Sequence, residues 1–62
     1  SAELRQALRA ALPGAASLDA LLEAAARAHA TTAAVLRRAM EQLGLSPEFE
    51  KLVPRGTARS VP

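Results

Sequence analysis

The residues able to do chemistry are few and far apart. The chain holds one histidine, His29, and no cysteine. A protein zinc site draws on three or four His, Cys or carboxylate ligands. His29 has no second imidazole or thiolate beside it, so no metal site is expected. Nucleophilic catalysis needs a hydroxyl or thiol within hydrogen-bonding reach of a base. Of the serines, Ser1, Ser17 and Ser46 each stand just before a helical stretch, where the side chain is suited to capping. Glu3, Asp19 and Glu48 fall in first helical turns, and Glu23, Glu41 and Glu50 read as solvent-facing charges. No paired-carboxylate arrangement results. The sequence therefore implies no catalytic residue and no cofactor, and the chain is read as not an enzyme.

Arginine offers a different chemistry, that of phosphate and base recognition. Arg37 and Arg38 lie inside "TTAAVLRRAMEQLGLSP", residues 31–47. On a DNA reading one would meet phosphate and the other a guanine edge, with Thr32 at the start of the same helix as a third contact. Through Thr31, Val35, Arg37, Leu43, Gly44, Ser46 and Pro47 this stretch resembles the second helix-turn-helix of AraC-type transcription factors. The resemblance covers about a quarter of the chain. It implies a DNA-binding helix over 31–43. The family's aromatic is replaced by Ala39, its apolar residue by Arg38, and its glycine-containing turn by "RAHATT". The plainer reading makes the two arginines solvated charges in a helix C-terminal half, where cations suit the dipole. His29 likewise reads as a boundary residue at a helix end.

The elements that would position these residues are all helical. Leu4, Leu8 and Leu12 recur every four residues, with Ala7 and Ala11 beside them, and predict a helix over 2–12 that Pro13-Gly14 ends. Ser17 opens a second over 18–29, in which Leu18, Leu21, Leu22, Ala25 and His29 share a face and Glu23 stands four residues before Arg27. Thr31 or Thr32 caps a third over 32–43, with Leu36, Ala39, Met40 and Leu43 inward. Gly44 supplies a left-handed stop and Leu45 folds back on the helix. Ser46 as cap and Pro47 in the first turn start a short fourth helix over 47–53, with Phe49, Leu52 and Val53 turned one way. No run alternates as a strand would. The expectation is an all-α domain over 1–53, three helices plus a short fourth, and a disordered, flexible tail over 54–62. "LVPRG", residues 52–56, resembles the thrombin site of expression vectors. Glu50 and Lys51 nevertheless complete a sensible amphipathic turn, which favours a native segment.

Composition bounds what such a domain can do. Half of the 62 residues are hydrophobic, but 16 of those are alanine. Alanine favours helix strongly and removes little area from water when buried, so the core is thin. Leu18, Leu21, Leu22, Leu36, Met40 and Leu43 are expected to fill it. The narrow Leu4–Leu8–Leu12 stripe is then the face expected to be offered to a partner, either another protein or a second copy. Net charge is only +2, with the basic residues spread along the chain, unlike the clustered patch of a dedicated nucleic-acid binder. No apolar run could span a bilayer, and the absence of cysteine suits a cytoplasmic setting. Ser1 in place of an initiator methionine and the Ala, Leu and Arg bias point to a fragment of a larger, bacterial protein. The reading is a docking, dimerisation or adaptor module, with helix-turn-helix DNA binding as the alternative.

Overall fold

The computed structural model describes residues 2–53 and is all-helical: α1 Ala2–Ala11, α2 Leu18–Ala28, α3 Ala33–Leu43 and α4 Ser46–Leu52. The tail expected over 54–62 and the capping role expected of Ser1 lie outside the described residues. Each boundary falls within about one residue of the sequence reading, because local signals set it.

Those signals are visible at every junction. After α1, the amide of Ala15 bonds to the carbonyl of Leu12 at 3.0 Å, and Gly14 takes φ +86°. This is a Pro-Gly turn whose third residue needs a positive φ. The Ser17 hydroxyl accepts the Ala20 amide at 3.1 Å and starts α2. Thr32, of the two threonines, caps α3 by accepting the Val35 amide at 3.2 Å.

Two helices end in the same left-handed motif. Beyond α3, Gly44 stands at φ +72°, its amide bonds Glu41 and the Leu45 amide bonds Met40. Beyond α2, Ala30 stands at φ +56°, its amide bonds Arg27 and the Thr31 amide bonds Ala26. Both are Schellman closures, which satisfy the orphan carbonyls of the last turn. Only the first uses the residue that suits it. α4 departs from expectation: Ser46 lies inside the helix, Leu45 precedes it, and no side chain caps the start. The chain leaves Gly44 directly into the next helix, which leaves no extended residue for Ser46 to occupy as a cap.

α1 packs on α2, α2 on α3 and α3 on α4. Arg5 and Arg9 of α1 both reach the Glu48 carboxylate of α4, at 3.4 and 3.2 Å. One core lies between the four helices: Leu8, Leu21, Leu22, Ala25, Ala26, Leu36, Met40, Leu45, Phe49 and Val53. No polar side chain is buried among the described residues.

Several assignments of the apolar residues change. Leu8, expected on a shared outer stripe, is wholly buried. A four-residue repeat drifts by about 40° per step on a helix of 3.6 residues per turn. The middle leucine therefore centres on the core, while Leu4 and Leu12 sit partly buried at its edges. Leu43, expected inside, is 50% exposed, and Leu45 at 5% takes the inner place. Leu18, expected inside, packs against the core without being enclosed, and Leu52, expected to turn inward with Phe49 and Val53, is exposed because Phe49 and Val53, four residues apart, take the inner face.

Candidate interaction surfaces

Two grooves flank α3. The first lies between α2 and α3 and is polar. Asp19 and Glu23 line it from α2, and Arg37, Arg38 and Glu41 from α3, around Ala33 and Ala34; its volume is about 590 Å³. Arg37 crosses this groove to pair with Asp19, its guanidinium donating to the carboxylate. Such a pair is exposed and contributes little to stability, but it occupies the guanidinium. Arg38 is exposed at the same rim.

The second groove runs along the other flank of α1, where the start of α1, the end of α2 and the first turns of α3 converge. Leu4, Ala7 and Ala10 form one wall, Leu36 the other, and Glu3, Gln6 and His29 the polar rim, around about 570 Å³. Alanine walls permit close approach of another helix, since nothing longer than a methyl group stands out from them. Arg5 and Arg9 point from the opposite flank of α1 toward α4, so the groove stays unobstructed by them.

Three large apolar side chains remain in solvent: Val35 at 57%, Leu43 at 50% and Leu52 at 45%. Val35 and Leu43, eight residues apart with Ala39 between them, fall along one strip of α3. The polar groove with α2 takes the opposite flank of that helix.

The candidate residues read from sequence separate accordingly. Of the partner-binding set, Leu8 is in the core and cannot meet a partner in this fold. Leu12 packs at the core edge, and Leu4 lines the apolar groove. Of the DNA-contact set, the Thr32 hydroxyl oxygen is engaged as a helix cap and Arg37 is paired, while Arg38 faces outward. Glu23 and Arg27 do not pair; the ion pairs among the described residues run between helices instead. Across residues 2–53 six basic residues face six acidic ones, so the helical body is electrically neutral. The chain's excess of positive charge resides in Arg55 and Arg59. Among the described residues no three His, Asp or Glu side chains converge as a metal site would require.

Sequence reading missed the apolar groove and the α3 strip. The small residues at Ala7 and Ala10 were legible as one side of α1. That Leu36 would stand across from them depends on how α1 and α3 are set by α2.

No protein-family model, no curated protein and no solved structure matches this chain.

Proposed function

We propose that this chain is a non-catalytic helical docking and dimerisation module whose first partner is a second copy of itself. The observation that carries the proposal is the groove of Leu4, Ala7, Ala10 and Leu36, left open beside a core that is already complete. A second copy supplies what such a groove takes. It exposes Val35 and Leu43 on α3, with the half-buried Ala39 between them, an amphipathic helix face of the kind that lies in apolar grooves. Because Val35 adjoins Leu36, groove and strip share one region of the surface, and a two-fold arrangement would let each copy give and receive. A cytoplasmic setting and a bacterial source belong to the same proposal and rest on composition. No helix among the described residues is long and apolar enough to cross a membrane.

Sedimentation equilibrium over a wide concentration range tests this. The expected result is a concentration-dependent mass that Ala7→Arg returns to the monomer, because the added side chain fills the groove from its half-buried wall. A monomer at every concentration sinks self-association.

A second reading, DNA binding by α3, draws on one feature. α2 and α3 pack together through a connection of four residues, His29 to Thr32, the length found in helix-turn-helix units. The neutral body and the Arg37–Asp19 pair weigh against it. Its test is retardation of duplex DNA that weakens with salt and falls in both Arg37→Ala and Arg38→Ala.

A further inference from the structure

We infer that α4 is a clasp that opens independently of the α1–α3 body, under the control of the Glu48 carboxylate. The helix is seven residues long, about half the length at which an isolated helix holds in water. It has no side-chain cap. Helix and docking are therefore one event, since α4 forms only while it is held. What holds it is small in number. Leu45, Phe49 and Val53, four residues apart, enter the core. Glu48, on the turn between them, bridges Arg5 and Arg9 one turn apart on α1. The other seven core residues belong to α1, α2 and α3, which keep a shared interior when α4 departs. The joint is Gly44 at φ +72°, with open space around its Cα.

The clasp ties the last described helix to the first, and its ionic part lies at the surface. Arg5 and Arg9 are about half exposed, so dissolved ions screen the bridge. Ionic strength thus sets how often α4 opens and uncovers the apolar face beneath Phe49. This is a device for presenting hydrophobic surface on demand, and it stands apart from the groove on the other flank of α1.

Native-state hydrogen exchange on the whole chain tests it. The amides to follow are Phe49 in α4 and Val53 at its C-terminal end, which bond the carbonyls of Leu45 and Phe49 at 3.2 Å, against those of Leu22 and Ala25 in α2. In the wild type the α4 amides exchange at least about tenfold faster than those of α2, as expected of a unit that opens below the global limit. Glu48→Gln speeds the α4 amides a further threefold or so, the size of an exposed pair, and leaves α2 unchanged. Arg9→Gln acts in the same direction. Sodium chloride at about 0.5 M reproduces the effect in the wild type and adds nothing to Glu48→Gln. One common rate for α2 and α4 overturns the inference. So does a Glu48→Gln variant that speeds both helices equally or unfolds the chain, because α4 would then belong to a single cooperative unit.

Discussion

The amide of Leu45 bonds back to the carbonyl of Met40 at 2.9 Å, and both side chains are buried. This bond decides which leucine enters the core. α3 ends in left-handed Gly44, the chain reverses, and Leu45 is laid against Met40, the hydrophobic contact that accompanies a Schellman closure. Leu43, about 60° round the helix from Met40, is left at the surface.

Two substitutions in equivalent positions should have opposite signs. Gly44→Ala places a Cβ at φ +72°, and Ala30→Gly removes one from φ +56°. The left-handed conformation costs an L-residue about 1–2 kcal/mol, against about 0.5–1 kcal/mol for the extra freedom of glycine in the unfolded chain. Gly44→Ala should lower stability by about 1 kcal/mol and Ala30→Gly raise it by about 0.5 kcal/mol. Thermal melts followed by circular dichroism read both, at about 4–8 °C per kcal/mol in a domain of this size.

Leu8 and Leu43 should behave in reverse of their sequence-based roles. Leu8→Ala empties a fully enclosed position and should cost about 2–5 kcal/mol. Leu43→Ala should change folding stability by less than about 0.5 kcal/mol, as at an ordinary surface site. It should weaken self-association instead. Denaturant titrations give the first comparison and sedimentation the second; a strongly destabilised Leu43→Ala would place that leucine in the core.

The two capping hydroxyls should each be measurable. Ser17→Ala and Thr32→Ala remove the acceptors of the Ala20 and Val35 amides. Each should lose about 1 kcal/mol, with Ser17→Asp close to wild type. Ser46→Ala should be nearly silent, since its side chain caps nothing in α4. A loss at Ser46 as large as that at Ser17 would contradict the junction described here.

Association through the apolar groove should be insensitive to the polar one. Val35→Asp on the α3 strip should abolish dimerisation along with Ala7→Arg, because each removes one half of the same contact. Arg37→Ala should leave the dimer intact, its guanidinium being engaged with Asp19 on the opposite flank of α3. Equal effects of Val35→Asp and Arg37→Ala on the sedimenting mass would refute the groove-and-strip pairing.

How much of this was legible before folding divides along a physical line. The four helices, their starts at Ser17 and Thr32 and their stops at Pro13-Gly14 and Gly44 were readable. Capping, turn chemistry and periodicity act within a few residues and need no tertiary partner. The membership of Leu21, Leu22, Leu36 and Met40 in the core followed from the same periodicity. The candidate surface did not. A stripe repeated every four residues shows that Leu4, Leu8 and Leu12 share a face; it carries no information on whether that face meets its own chain or another.

By itself, then, the sequence determined an all-helical chain with its breaks in place and a thin, alanine-rich interior. The tertiary structure alone decided that Leu8 is enclosed, that Glu48 joins the first helix to the last, and that an apolar groove remains beside Leu36. The reason is one of range. Helices and turns answer to neighbours three or four residues away, whereas the enclosure of Leu8, the Glu48 bridge and the groove depend on residues brought together from different helices, as Arg9 and Glu48 are across 39 positions.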